Sequence, residues 1–152
     1  MSEAINLHNA YVKGDLEAVK KALGNPPDFP NCCGLQGVGE ICLEYAIYHS
    51  PISFIRMLLE QGADSNYPDH CGFPLLIAAL STSRDDKYEI VELLLSNGAD
   101  IGQRGVNNYP PLHYAANSDD PRAIELLVVH GADIEARRLL MTMLLPWKRL
   151  SI

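Results

Sequence analysis

The sequence has 152 residues and a formal net charge of −7, from 12 basic and 19 acidic side chains. Apolar residues make up 47% of the chain and charged residues 20%, which is typical of a globular protein and excludes a wholly disordered one. An acidic chain is a poor match for the phosphates of nucleic acid, so we expect no nucleic-acid partner. A basic surface on a partner protein is the better electrostatic match.

The sequence predicts neither a secretory signal nor a membrane span. Residues 1–6 contain no basic stretch followed by an apolar one, and the longest apolar run, residues 139–145, is far too short to cross a bilayer. Four cysteines occur without any C-x-x-C spacing, and we expect them to be reduced thiols in the cytoplasm. They are Cys32, Cys33, Cys42 and Cys71.

Two short apolar helix patterns open the chain. Leu7-x-x-Ala10 is followed by residues 14–24, in which apolar residues recur at helical spacing. We predict helices over residues 4–10 and 14–23. The following segment, from Asp28 towards Ala46, is rich in glycine and proline and predicts a long loop.

The same two-helix pattern returns three more times. Each copy has a Leu-x-x-Ala segment, then a segment with adjacent large apolar residues, and then Gly-Ala-Asp. The Gly-Ala-Asp tripeptides occupy residues 62–64, 98–100 and 131–133, at spacings of 36 and 33 residues. The predicted helix pairs are residues 42–49 and 52–60, 74–81 and 87–96, and 111–117 and 121–129.

Local signals fix several helix ends. Pro111 suits the first turn of a helix, and Asp120 before Pro121 is predicted to be a helix cap. Gly131 is predicted to end its helix in the left-handed conformation. The third copy has four extra residues, which we place within residues 81–88, in the turn between its two helices.

The segment from Pro110 to Ala116 reads Pro-Pro-Leu-His-Tyr-Ala-Ala, which resembles the Thr-Pro-Leu-His-x-Ala-Ala motif of the ankyrin-repeat family, with Pro in place of Thr. The resemblance covers nearly the whole chain, from about Ala4 to Ala136. It implies an all-α fold, an ankyrin-repeat solenoid of stacked helix pairs with projecting finger loops. Residues 1–152 would form a single stack, with repeats at about 4–28, 36–66, 69–102 and 106–135.

The pattern breaks after residue 135, where an apolar segment replaces the polar terminal repeat that such a stack needs. Codons that fit the residues from Met141 onward can also be read in another frame as Thr-Pro-Leu-x-x-Ala. We therefore interpret residues 136–152 as an atypical, frameshifted remnant of a fifth repeat.

The resemblance implies a protein-interaction module that binds a partner protein on the concave face of the stack. It is expected not to be an enzyme and to need no cofactor or small-molecule substrate. The expected partner-binding residues, carried over by position, are Tyr48, His49, Asp69, His70, Val106, Asn107, Tyr109 and Asn117. Further positions of the same face are Gly37, Val38, Glu40, Gly72, Leu80, Ser81 and Ser118.

Two alternatives stay open at this point. The chain could be an immunity-type or regulatory inhibitor that blocks an enzyme's active site with its long first finger. It could also be a piece of a larger enzyme, although its polar N-terminal repeat argues against a missing preceding segment.

Other candidate sites are weaker. Cysteines and histidines at 32, 33, 42, 49, 70 and 71 fit no zinc-ligand spacing, so no metal is expected. His113 occupies the family's histidine position and is interpreted as structural. The glycines from Gly34 to Gly39 lack the Lys-Ser or Lys-Thr of a phosphate loop.

Overall fold

The computed structural model describes residues 2–34, 40–66, 74–104 and 110–132. Within these ranges no β-strand is found, and no helix is long and apolar enough to span a bilayer. The helices there are α1 (Ser2–Lys13), α2 (Leu16–Ala22), α3 (Cys42–His49), α4 (Ile52–Glu60), α5 (Leu75–Ser81), α6 (Lys87–Ser96), α7 (Pro111–Asn117) and α8 (Pro121–Val129).

The helices pack as pairs that stack into two layers. The first helices α1, α3, α5 and α7 lie side by side, and the second helices α4, α6 and α8 form the other layer. One buried apolar cluster runs through all four pairs, from Leu7 to Leu127. In α4, Phe54, Ile55 and Leu58 are completely buried, because their spacing places them on one face of the helix. Stacking therefore supplies the core that a single pair could not form.

The helix predictions from residue 42 onward are confirmed to within one residue, whereas the first pair differs. α1 extends over Ser2–Lys13 instead of residues 4–10, and α2 begins at Leu16 instead of residue 14. Gly14 has φ +73° and ends α1, after which the Asp15 carboxylate accepts a hydrogen bond from Ala18 N at 3.1 Å and caps α2.

The predicted helix ends in the later repeats are also confirmed. Pro111 is in the first turn of α7, and the Asp120 carboxylate caps α8 by accepting a hydrogen bond from Ala123 N at 3.1 Å. Gly131 has φ +94°, in the left-handed region. The repeat limits at residues 4–28, 36–66, 69–102 and 106–135 depend in part on undescribed loop residues and stay predictions, as does the assignment of residues 136–152.

The extra residues of the third repeat lie between α5 and α6, as predicted, and they carry Arg84 back to the second repeat. The Arg84 guanidinium donates hydrogen bonds to the carbonyls of Ile47, at 3.0 Å, and Ser50, and it pairs with Asp86 at 2.8 Å. These carbonyls lie at the C-terminal end of α3, where helical hydrogen bonding runs out and a cation is favoured. The longer turn thus caps a helix of the preceding repeat.

Other side chains also link successive repeats at the edge of the stack where the turns join the two helices of each repeat. Ser50 Oγ donates to the carbonyl of Tyr11 at 2.6 Å, which joins the first two repeats. Tyr88 Oη donates to Asp120 at 2.8 Å, and Lys87 Nζ lies 3.0 Å from the same carboxylate. Each junction between repeats therefore has a polar contact beside the turn that connects its helices.

A second kind of link lies at the opposite edge, where the finger loops begin. The Asn31 side chain donates to the carbonyl of Gly62 at 3.0 Å and accepts from the amide of Asp64 at 2.8 Å. Asn66 repeats this arrangement one repeat later, donating to the carbonyl of Gly98 and accepting from Asp100 N. Each asparagine thus bridges its repeat to the Gly-Ala-Asp segment of the next one.

Candidate functional site

A cluster of aromatic and histidine side chains lies on the first-helix layer, where α1 meets α3. His8 Nδ1 and Tyr45 Oη are 2.7 Å apart, and the His49 ring centroid lies 4.5 Å from that of Tyr45 and 5.1 Å from that of His8. The Tyr48 ring follows at 6.3 Å from His49. We call His8, Tyr45, Tyr48 and His49 the aromatic–histidine patch. It offers ring surface and polar nitrogen and oxygen atoms at one place.

The patch is accessible because its residues lie at the edge of the helix-to-helix contact. His49 is exposed, and His8, Tyr45 and Tyr48 are half-buried. Beneath them, the Tyr11 ring packs 4.6 Å from Tyr45 and is almost completely buried. The patch is therefore supported by the core without being part of it.

Burial and neighbouring charges set the protonation of the patch. Partial burial, followed by the charge of His8, lowers the pKa of His49 below its ordinary 6.5. Burial, followed by the carboxylate of Glu40, raises the pKa of the Tyr45 hydroxyl. At neutral pH His49 is therefore mostly neutral, and Tyr45 keeps its proton and can donate a hydrogen bond.

The predicted inner-helix residues have different surroundings. Tyr48, His49 and Asn117 lie at the C-terminal ends of α3 and α7, and His49 and Asn117 are exposed, as is Ser118. Leu80 was predicted to be a surface position, and this is wrong, because the side chain is only 4% exposed and packs in the core between neighbouring first helices. Ser81 is exposed, and its hydroxyl donates to the carbonyl of Ala78 at 2.7 Å.

Most predicted finger residues lie outside the described residues, and their roles stay predictions. These are Asp69, His70, Val106, Asn107 and Tyr109, together with Gly37, Val38 and Gly72. Glu40 is described and is exposed, just before α3. The alternative of an inhibitor that acts through its first finger also depends on residues 35–39, which are not described.

Cys32 of the first finger packs beside Cys42, the first residue of α3. Cys32 Sγ and Cys42 Sγ are 3.4 Å apart and buried, and the amide of Cys42 donates to the carbonyl of Cys32 at 3.1 Å. Burial, followed by the neighbouring Cys42, raises the pKa of the Cys32 thiol to about 12. Buried thiols with raised pKa values are poor nucleophiles, and both residues belong to the buried apolar cluster.

No group of three or more histidine, cysteine or acidic side chains is arranged to hold a metal ion within residues 2–34, 40–66, 74–104 and 110–132. His70 and Cys71, which entered the zinc possibility at the level of sequence, lie outside these ranges. His113 is half-buried, and partial burial, followed by the charge of Arg104, lowers its pKa.

Comparison with protein families gives two adjoining matches. A profile of three ankyrin repeats matches residues 7–105, and a profile of one ankyrin repeat matches residues 107–139. The chain belongs to the ankyrin-repeat family. Ankyrin repeats are in general protein–protein interaction modules without enzymatic activity of their own.

Several ankyrin-containing proteins are similar in sequence. Alpha-latrocrustotoxin-Lt1a of Latrodectus tredecimguttatus is 29% identical over 123 residues, which is 80% of this chain but 8% of the toxin. A putative ankyrin repeat protein of fowlpox virus is 36% identical over 86 residues, 54% of this chain and 24% of the viral protein. A putative ankyrin repeat protein of Rickettsia felis is 27% identical over 140 residues, 90% of this chain and 45% of that protein.

The ankyrin stack thus spans less than half the length of each of these relatives. The aromatic–histidine patch could not be found from the repeat pattern, because His8 and Tyr45 are 37 residues apart and the contact crosses between repeats. The family positions of the inner helix selected Tyr48 and His49, at the end of α3, but did not include His8 and Tyr45.

Proposed function

We propose that this ankyrin stack binds a partner protein through its first-helix layer and finger loops, with the aromatic–histidine patch as the central contact. The observation that carries the proposal is the exposed and half-buried cluster of four rings that includes His49. Asn117 on α7 and the predicted finger residues His70 and Tyr109 would extend the surface along the stack.

The chemistry of the patch supports protein recognition. Tyrosine presents a large ring and a polar hydroxyl at low conformational-entropy cost, and tyrosines are enriched among residues that dominate binding energy. A half-buried ring that the core already supports loses little freedom when a partner covers it. The net charge of −7 favours a partner with a basic face.

The decisive experiment measures binding by purified variants once a partner has been isolated with the wild-type chain. We expect Tyr48→Ala to weaken the complex about tenfold or more, since an anchoring aromatic contributes about 2 kcal/mol. His49→Ala should also weaken binding, and alanine at His70 and Tyr109 tests the fingers. Unfolding by urea must show that each variant remains folded.

Matched controls lie on other surfaces of the same stack. Arg56→Ala is on the second-helix layer, and Asp85→Ala is in the turn between α5 and α6; both residues are exposed. Neither change should alter binding by more than about twofold, as expected of substitutions outside an interface. The proposal fails if Asp85→Ala or Arg56→Ala weakens the complex while Tyr48→Ala and His49→Ala leave it unchanged.

We also propose that the protein works in the cytoplasm, where its cysteines would stay reduced. Fractionation of cells that express the tagged chain tests this point. Recovery in a secreted or periplasmic fraction would contradict it.

A further inference from the structure

The aromatic–histidine patch has the features of a site for a positively charged side chain. The ring centroids of Tyr45 and His49 are 4.5 Å apart, and the ring of Tyr48 lies 6.3 Å from that of His49. Aromatic rings attract cations through the negative charge on their faces, most strongly where water is partly displaced. Tyr45 and Tyr48 are half-buried, so part of their hydration is already lost.

An acidic side chain contributes to the electrostatics of these rings. Glu40 is exposed just before α3, and its charge acts on both Tyr45 and His49. A cation placed against the rings would therefore also interact with a carboxylate. The His49 ring does not oppose this at neutral pH, because it is mostly neutral there.

We propose that the aromatic–histidine patch, with Glu40, receives a single arginine side chain of the partner protein. This inference rests on the proposed function and names the chemistry of the group that the patch recognises. Arginine fits better than lysine because its planar guanidinium stacks on aromatic rings and donates hydrogen bonds from its edge. The edge of the guanidinium would face Glu40 while its plane covers a ring.

The test uses a small probe on the intact chain, so it does not require the partner. N-acetyl-arginine N-methylamide is titrated into the protein, and the ring resonances of Tyr45, Tyr48 and His49 are followed by NMR at neutral pH. N-acetyl-citrulline N-methylamide has the same shape without the charge. We expect the arginine probe to shift these resonances saturably and about three- to fivefold more strongly than the citrulline probe, as for a cation on an exposed ring.

Variants locate the effect. Glu40→Gln and Tyr48→Leu should each weaken the arginine response about threefold or more, in line with the loss of a partly exposed charge or ring contact. Asp85→Asn, which removes an exposed carboxylate in the turn between α5 and α6, should leave it unchanged. The inference is overturned if citrulline acts as strongly as arginine, or if the response survives both patch variants.

The outcome separates this inference from the broader proposal. If the arginine and citrulline probes shift the ring resonances equally but Tyr48→Ala still weakens the protein complex, the patch binds a partner through some other group. If the arginine probe binds the patch and Tyr48→Ala leaves the complex unchanged, the cation site exists, but the partner does not use it.

Discussion

Replacing Gly102 by asparagine should add to the third junction between repeats the kind of link that Asn66 makes at the second. In the second repeat, the amide of Asn66 donates to Asp64 Oδ1 at 2.9 Å, and its side chain then bridges to Gly98 and Asp100. In the third repeat, Gly102 N donates to Asp100 Oδ1 at the same distance of 2.9 Å, in the same local turn. A side chain at residue 102 should therefore point towards the next Gly-Ala-Asp segment, beginning at Gly131.

The structure accommodates this side chain. A Cβ atom at Gly102 would lie 3.6 Å from Asp100 Oδ1, an ordinary contact, and the backbone there is not left-handed. Losing a glycine should stabilise the chain by about 0.5 kcal/mol through the unfolded state. A new hydrogen bond to the carbonyl of Gly131 adds about 0.5–1 kcal/mol at an exposed site. We expect a total gain of about 1–1.5 kcal/mol for Gly102→Asn.

Urea unfolding followed by far-UV circular dichroism measures the gain, provided that the dependence of the free energy on urea is the same in both proteins. Gly102→Ala is the matched control, because it changes the unfolded state without adding the hydrogen bond. Asn66→Ala is the reverse experiment and should cost about 1 kcal/mol. If Gly102→Asn is no more stable than Gly102→Ala, the asparagine bridge does not contribute to the stability of the stack.

Three further predictions concern the polar contacts between repeats and the patch. Arg84→Met should lower the free energy of unfolding, measured with urea, by about 2 kcal/mol, because it removes charged hydrogen bonds to helix carbonyls. The control Arg56→Met, on the exposed surface of α4, should lower it by less than about 0.5 kcal/mol. Equal effects of the two variants would contradict the capping role of Arg84. Tyr88→Phe should cost about 1 kcal/mol by losing the hydrogen bond to Asp120, and an unchanged stability would mean that water replaces it without penalty. His49 should titrate below pH 6.5 when its ring protons are followed by NMR. Because the pKa of His49 is lowered in the folded protein, its contribution to stability is present above about pH 6.5 and is lost as the pH falls below that value. A titration midpoint above about 6.5 would contradict the argument from burial.

The helices could be predicted because each repeat encodes its own ends and its own buried face. Pro111, Asp120 and Gly131 act on residues within a few positions of themselves, so a local pattern is sufficient. The first helix was predicted too short at both ends, because Ser2 and Glu3 show no apolar pattern and residues 11–13 lie beyond the Leu7-x-x-Ala10 segment that marked the helix. Local helix-end signals at Gly14 and Asp15 set its true end.

The contacts between repeats were not predictable in the same way. Asn31 and Asn66 could have been noticed, because each stands 33 or 34 residues before an Asp of the next Gly-Ala-Asp segment. The burial of Leu80 could not have been predicted, because it depends on how closely the neighbouring first helices approach each other. The position of a residue in the family motif predicts the helix face on which it lies but not how deeply its side chain is buried.

Among the links between repeats that the structure describes, the contact at the third junction depends on a single carboxylate. Asp120 caps α8 by accepting from Ala123 N, and it also receives the hydroxyl of Tyr88 and the ammonium of Lys87 from the preceding repeat. The group that starts the last described helix is thus the group that ties this helix to its neighbour, so the folding of α8 and its docking on the third repeat are coupled through one side chain.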